Sequence, residues 1–182
     1  VETTKGDRAA IELPEWQLDY LKAVHDRGTP VILVLTNGAA VAFPEDIADA
    51  ILDVWYPGEE GGNAVANVIF GDKNPSGHLP VTFPISTKDL PAFDNDSMKN
   101  RTYRYTTKEP LFPFGFGLSY TSFKFDSLDV KNTDAKSGKP DSWTMNVSAN
   151  ITNTGNLAGK NAVQLYISKK ERKSDDPICS LN

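Results

Sequence analysis

Residues 11 to 84 alternate between two hydrophobic patterns, one typical of amphipathic helices and one of buried strands. The stretch "LPEWQLDYLKAVHDRG" has apolar side chains at helical spacing, and "VILVL" at 31 to 35 is a continuous apolar run. Such a run is typical of a strand that is buried on both faces of a parallel sheet. A helix start at "PEDIADA", a strand over "ILDVWY" and an apolar helical stripe at 64 to 69 follow. This order predicts an α/β fold with a three-layer α/β/α sandwich, flavodoxin-like and partial.

The first predicted helix has an apolar face and helix signals at both ends. Pro14 suits its first turn, and Gly28 suits the turn that ends it. Its apolar face is predicted to consist of Leu13, Trp16, Tyr20, Leu21 and Val24.

The stretch "GDKNPSGHLPVTFP" at 71 to 84 combines three prolines with two glycines. Because proline biases the residue before it away from helical geometry, the preceding helix must end near Gly71. The sequence Asn-Pro-Ser-Gly at 74 to 77 has turn chemistry. Leu79–Phe83 is then predicted to form a short extended segment at an edge, since the flanking prolines lack amide donors.

The composition changes after residue 85. The stretch "PLFPFGFGLSY" predicts an aromatic cluster over the sheet edge, formed by Phe112, Phe114, Phe116 and Tyr120. Beyond it, residues 121–130, 143–155 and 160–168 alternate apolar and polar positions between turn signals. Three such strands are typical of the start of a β-sandwich, which needs about seven strands, so we expect this one to be incomplete.

Charge and composition exclude several classes of function. The 182 residues carry 19 basic and 24 acidic side chains, a formal net charge of -5, which gives no electrostatic footprint for nucleic acid. No apolar run approaches the roughly 20 residues that span a bilayer, so we expect no membrane segment. The two histidines and the single Cys179 have no ligand spacing, so we expect no metal and no cofactor.

Two loops follow the predicted strands, "TNGAA" at 36 to 40 and "YPGEEGG" at 56 to 62. Ligands of open α/β sheets usually bind beyond the carboxyl ends of the strands, which makes Asn37, Glu59 and Glu60 candidates for the substrate side. One of the two glutamates could act as a general acid. The alternative, which we favour, is that both stabilise the start of the next helix through its dipole.

These segments together resemble the C-terminal region of glycoside hydrolase family 3, the family of β-glucosidases and β-xylosidases. The resemblance rests on "GDRAAIELPEWQLDYLKAV", "TPVILVLTNGAAV", "RTYRY", "PLFPFGFGLSYTSFKF" and, above all, "VWYPGEEGGNAVANVIFGDKNPSGHLPVTFP". It implies that residues 1–125 are the α/β sandwich domain of that family, truncated at its N-terminus. Residues 126–182 then resemble the start of a fibronectin type III-like domain, also truncated.

The family resemblance implies a retaining β-glycosidase that hydrolyses O-glycosyl bonds of β-linked glucosides or xylosides. Its nucleophile is an aspartate on a (β/α)8 barrel, and its acid/base is a glutamate of the following sandwich domain. The barrel is missing from this chain, so we expect the chain alone to be inactive. Glu2 is the candidate acid/base. Asp7 and Arg8 either form a local ion pair at the helix entry or contact the active-site loop.

Two other functions stay open. The chain could be a non-catalytic carbohydrate-binding or interaction module built from the same domain. It could also be an unrelated flavodoxin-like protein that binds a small anion or nucleotide, although its glycine loops lack the Walker and GxGxxG patterns. The resemblance leaves the compartment open, with a periplasmic or secreted location favoured over the cytoplasm.

Overall fold

The computed structural model describes residues 8–92, 94–132 and 145–181. Two short 3-10 turns, Glu45–Ile47 and Thr87–Asp89, accompany the helices and strands. The helices of the described residues are α1 (Glu15–His25), α2 (Gly61–Ile69) and α3 (Thr102–Tyr105). The strands are β1 (Ile32–Leu35), β2 (Ala50–Asp53), β3 (Phe123–Asn132), β4 (Met145–Asn153), β5 (Tyr166–Ile167) and β6 (Ser180–Leu181).

Strands β1 and β2 form a parallel pair, as the α/β pattern predicts, with Ile32 opposite Ala50 and Leu35 opposite Asp53. Val31 and Leu35 are buried, but Ile32 is 50% exposed. The prediction of burial on both faces is therefore wrong for the described residues. The reason is that α1 and the core cover one face of this pair, so the side chains of β1 alternate between inside and outside.

Helix α1 lies where its pattern predicts, but its inward face differs from the predicted one. Leu18 and Leu21 pack against the core, whereas Trp16 and Tyr20 are each 68% exposed. The prediction placed Trp16 and Tyr20 on the buried face because of their large apolar side chains and omitted Leu18, so it put the centre of that face on the wrong side of the helix. Gly28, in the turn after the helix, has a φ of 74°.

The predicted second helix at "PEDIADA" is only the single 3-10 turn Glu45–Ile47. The chain becomes extended at Ala48, with a φ of -152°. The amides of Asp49 and Ala50 then donate to the carbonyl O of Val31, and the Asp49 carboxylate accepts from the Val31 amide at 2.7 Å. These bonds to β1 replace the bonds that would have continued the helix.

The core lies between α1, the β1–β2 pair and the segment that contains Phe83. Phe83 is 1% exposed, and its ring centroid lies 6.1 Å from that of Trp55 and 6.3 Å from that of Phe112. The buried residues that form this core are Leu35, Val41, Phe43, Ile47 and Phe83.

The proline-rich stretch after α2 follows its sequence prediction only in part. The helix ends as predicted, but residues 74–77 do not form the predicted turn, and the chain bends at Pro80 and Val81. Helix α2 ends at Ile69, and Gly71 takes a φ of 83°, a conformation that favours glycine. The amides of Leu79 and Phe83 donate to the carbonyl O atoms of Phe116 and Phe112, each at 2.8 Å. Of the predicted extended segment, only Phe83 forms a bridge, with Phe112, and the ring of Phe116 stacks on that of Phe112. The segment forms no strand, because the chain bends at Pro80 and Val81.

The C-terminal strands follow the prediction in part. Strands β3 and β4 form a long antiparallel hairpin with a register shift between Asp126 and Asp129. The strand predicted over 160–168 is reduced to Tyr166–Ile167, which pairs with Ser180–Leu181. The alternation of apolar and polar residues predicted too long a strand at 160–168. Among the described residues of this stretch, only Tyr166 and Ile167 pair with a neighbouring strand.

Tyr103, in α3, connects this C-terminal region to the α/β part. Its ring stacks on that of Phe114 with a centroid distance of 4.5 Å and meets that of Tyr166 edge-on at 5.8 Å. Its hydroxyl accepts a hydrogen bond from the Leu181 amide at 3.1 Å. One side chain therefore joins segments that are far apart in the sequence.

Candidate functional site

Two loops leave the carboxyl ends of β1 and β2 at the same edge of the parallel pair. One loop contains Asn37 and Gly38, and the other runs from Val54 to the start of α2. The Val54 amide donates to the carbonyl O of Leu35 at 3.0 Å, which keeps the loops side by side. This edge is where an open α/β sheet usually binds its ligand, so it is the candidate site.

The first of these loops is held through Asn37. Its Nδ2 donates to the carbonyl O of Ala39 at 2.9 Å, within the loop itself. Its Oδ1 is buried and has no hydrogen-bond partner among the described residues. Buried polar atoms are usually paired, so this oxygen marks a polar position at the edge.

Asp53, the last residue of β2, organises the second loop. Its Oδ1 accepts from the Trp55 amide at 3.1 Å, and Trp55 has a φ of 52°, which is uncommon for a residue other than glycine. Its Oδ2 is buried without a partner among the described residues. Burial raises the pKa of Asp53, while the hydrogen bond from the Trp55 amide opposes the rise.

Tyr56 is the exposed aromatic residue of this edge. It is 79% exposed, and its ring tip lies over Gly38. A Cβ built on Gly38 would lie 2.7 Å from Cε2 and 2.9 Å from the hydroxyl O of Tyr56, so this approach requires glycine or a shifted ring. The two loops therefore contact each other through an aromatic side chain and a bare backbone.

Glu59 and Glu60 are both exposed and lie just before α2. The carboxylate of Glu60 accepts from Asn63 Nδ2 at 2.7 Å, and its carbonyl O accepts from the Ala64 amide at 3.0 Å. These contacts fit the favoured interpretation of a helix start. A role of either glutamate toward substrate stays a prediction.

The N-terminal candidates lie elsewhere or outside the described residues. Glu2 and Asp7 fall among the residues that the structure does not describe. Arg8 is exposed, and its guanidinium donates to the carbonyl O of Glu12.

Sequence reasoning missed Asp53, Trp55 and Tyr56. It extended the strand through Tyr56, because Val, Trp and Tyr all favour strands. The positive φ of Trp55 ends that geometry and creates the loop. An aspartate two residues before the tryptophan was the available signal, since Asp often bonds its own backbone in turns.

A cavity of about 340 Å³ lies apart from this edge and shares none of its residues. It is lined by the segment around Thr82, by residues in and around α3, such as Arg101 and Tyr103, and by Phe114. Among the described residues, no group of three or more His, Cys, Asp or Glu side chains is arranged to hold a metal ion. In the same residues, no helix has the length and apolar character needed to cross a membrane.

Comparison with known proteins gives consistent relatives. The glycosyl hydrolase family 3 C-terminal domain matches residues 1–120. A xylan 1,4-beta-xylosidase of Xylanibacter ruminicola is 46% identical over 178 residues, covering 97% of this chain and 20% of that protein. A periplasmic beta-glucosidase of Salmonella typhimurium is 36% identical over 191 residues, covering 97% of this chain and 24% of that protein.

Solved structures agree with the sequence matches. The Bifidobacterium adolescentis GH3 beta-glucosidase superposes with a TM-score of 0.84 at 31% identity, covering 99% of this chain and 28% of that one. Beta-glucosidase 3B from Thermotoga neapolitana, in complex with glucose, superposes with a TM-score of 0.79 at 34% identity, covering 96% of this chain and 26% of that one. The chain thus spans between a fifth and about a quarter of the lengths of these relatives.

Proposed function

Because this chain belongs to glycosyl hydrolase family 3 through its C-terminal domain, we propose that it serves as the C-terminal region of a retaining β-glycosidase. The resemblance drawn from the sequence is confirmed at the level of the family. The observation that carries the proposal is the 46% identity to a xylan 1,4-beta-xylosidase over 97% of the chain. The proposed substrates are β-linked glucosides or xylosides.

In this proposal the reaction needs two carboxyl groups about 5 to 5.5 Å apart, one attacking the sugar and one protonating the leaving oxygen. A (β/α)8 barrel supplies the nucleophile, and Glu2 is the candidate acid/base. The residues that we propose for the substrate side are Asp7, Arg8, Asn37, Glu59 and Glu60. The chain alone lacks the nucleophile that attacks the sugar in the first step, so it is inactive.

The finer architecture is also a proposal. Residues 1–125 form part of a three-layer α/β/α sandwich, and residues 126–182 open a fibronectin type III-like domain. The parallel β1–β2 pair supports the first assignment, and the β3–β4 hairpin supports the second. A periplasmic or secreted location is supported by the name of the Salmonella relative.

A domain exchange tests the function. In the Xylanibacter ruminicola xylosidase, the matching 178-residue segment is replaced by this chain. We expect the chimera to hydrolyse 4-nitrophenyl β-xyloside or β-glucoside at a rate in the ordinary enzyme range of roughly 1 to 10³ per second. The chain alone and the xylosidase without the segment should both match the blank.

Two results would contradict the proposal. A well-folded chimera without activity would show that the chain does not complete the barrel. Turnover by the isolated chain would show that the nucleophile lies within it. Glu2→Gln in the active chimera tests the acid/base assignment, because loss of the proton donor should lower kcat far more for a substrate with a poor leaving group than for a nitrophenyl glycoside.

A further inference from the structure

We propose that Tyr56 is a stacking platform for one pyranose ring of a β-linked oligosaccharide, forming a sugar-binding position at the carboxyl edge of β1 and β2. The choice of sugar rests on the proposed function. The position itself rests on geometry within the chain, so we expect binding to be a property of the chain without any barrel.

Tyr56 is an exposed aromatic residue at the candidate edge. It is 79% exposed although it follows directly after Trp55, whose ring packs edge-on against the buried Phe83. Covering a large exposed aromatic side chain with an apolar surface is favourable, because it removes apolar area from water. The C–H face of a pyranose ring offers such a surface, while its hydroxyl groups stay in water.

The ring tip of Tyr56 lies over Gly38, and the backbone before it is set by a turn. Gly38 leaves room for the ring tip, because a Cβ at that position would lie 2.7 Å from Cε2. The hydrogen bond from the Trp55 amide to Asp53 fixes the backbone turn that precedes Tyr56. A platform whose orientation is fixed in advance loses less entropy on binding than a freely rotating side chain.

Carboxylates that could bond sugar hydroxyls lie on the same loop as Tyr56, and that of Glu60 already accepts from Asn63 Nδ2 at 2.7 Å. Glu59 and Glu60 carry exposed carboxylates within four residues of Tyr56. A carboxylate accepts hydrogen bonds from hydroxyl groups, and such charge-assisted bonds are stronger than neutral ones. An aromatic face on a loop that also carries exposed carboxylates therefore suits a polyol ring better than a wholly apolar ligand.

The other exposed aromatic residues of the α/β part provide a matched control. Tyr20 is 68% exposed, but it lies on α1, away from the loops that follow β1 and β2. Tyr20→Ala removes the same side chain with a similar exposure. It should leave sugar binding unchanged.

The experiment is a titration of the whole 182-residue chain, carrying 13C-labelled tyrosine, with cellotriose and xylotriose and with maltotriose for comparison. We expect the ring resonances of Tyr56 to shift saturably with a dissociation constant in the millimolar range, about the strength of a single exposed contact. Tyr56→Ala should weaken binding about tenfold or more, and Tyr56→Phe should retain it within about threefold, because the ring face is kept. Gly38→Ala should weaken it by displacing the ring.

Two outcomes would overturn the proposal. One is a Tyr56→Ala variant that binds as tightly as the unchanged chain. The other is a set of Tyr56 resonances that do not move at roughly 50 mM oligosaccharide, a concentration at which even a weak site is occupied. Since Tyr56 is exposed, its replacement should not unfold the chain, and the thermal midpoint of each variant checks this.

The result is independent of the domain exchange. An inactive chimera together with Tyr56-dependent binding would reject the hydrolase role and favour the carbohydrate-binding module. An active chimera without this binding would reject the platform and leave the hydrolase role intact.

Discussion

Replacing Glu12 by glutamine should destabilise the protein in a manner that depends on pH. The Glu12 carboxylate accepts hydrogen bonds from the Thr87 amide at 2.8 Å, the Thr87 hydroxyl at 2.5 Å and the Ser86 hydroxyl at 2.9 Å. The Thr87 hydroxyl oxygen in turn accepts from the Ile11 amide at 2.9 Å. These bonds join the start of the α/β part to the 3-10 turn after the proline-rich stretch.

The hydrogen bonds from the Thr87 side chain and backbone lower the pKa of Glu12 from 4.5 to about 2. Such a difference corresponds to at most roughly 3 to 4 kcal/mol of folding free energy at neutral pH. Glu12 is only partly buried, so water screens these bonds, and we expect about 1 to 2 kcal/mol. Because the folded pKa is the lower one, this contribution is complete above pH 4.5 and is lost as the pH falls toward 2.

The assay is urea unfolding of the chain and of Glu12→Gln at several pH values between 7 and 3. The difference in unfolding free energy should be largest at neutral pH and should shrink toward pH 3. Glu171→Gln, which changes an exposed carboxylate, serves as the control for net charge and should have little effect. Thr87→Val should remove much of the same contribution, and the double variant should lose less than the sum of the two.

A difference that stays constant from pH 7 to pH 3 would show that the Glu12 carboxylate does not gain its stability from charge. Strict additivity of Glu12→Gln and Thr87→Val would show that the two side chains act separately. Either result would refute the reasoning from these hydrogen bonds.

Three further predictions follow from the fold. Amides of Val31–Leu35 should exchange with solvent far more slowly than those of Val163–Ile167, as hydrogen exchange will measure, and equal strong protection would contradict the weak pairing of β5. Glu60→Ala in the active chimera should lower the thermal midpoint and leave the pH profile unchanged; a lost acidic limb at an unchanged midpoint would instead make Glu60 a catalyst. Gly71→Ala should cost about 1 kcal/mol in urea unfolding because its φ is 83°, and an unchanged midpoint would contradict this.

The parts of the fold that the sequence predicts best are those in which local chemistry and packing agree. Helix α2 ends at Ile69, as Gly71 and the prolines after it predict, and Phe83 forms a bridge with Phe112. The family can also be predicted from the sequence, because the long motif that begins with "VWYPGEEGG" is specific to it. In these places one residue type leaves few alternatives.

The failures occur where distant contacts decide. The segment "PEDIADA" has helix signals, but the amides of Asp49 and Ala50 donate to the carbonyl O of Val31, so its last residue begins β2 and not a further helical turn. Asn37, Glu59 and Glu60 stay predictions that rest on the rule that ligands bind beyond strand ends. Tyr56 was missed because its exposure depends on the backbone turn at Trp55, which residue preferences do not reveal.

The contacts of Tyr103 have a consequence for gene recombination among relatives. This residue and Phe114 lie before residue 125, while Tyr166 and Leu181 lie after it, and all four meet in one packing unit. A crossover at residue 125 would combine Tyr103 and Phe114 from one parent with the residues that contact Tyr103 after that position, Tyr166 and Leu181, from another. Shuffled genes of this family should therefore survive more often when the crossover lies before α3, so that both sides of the contact come from the same parent.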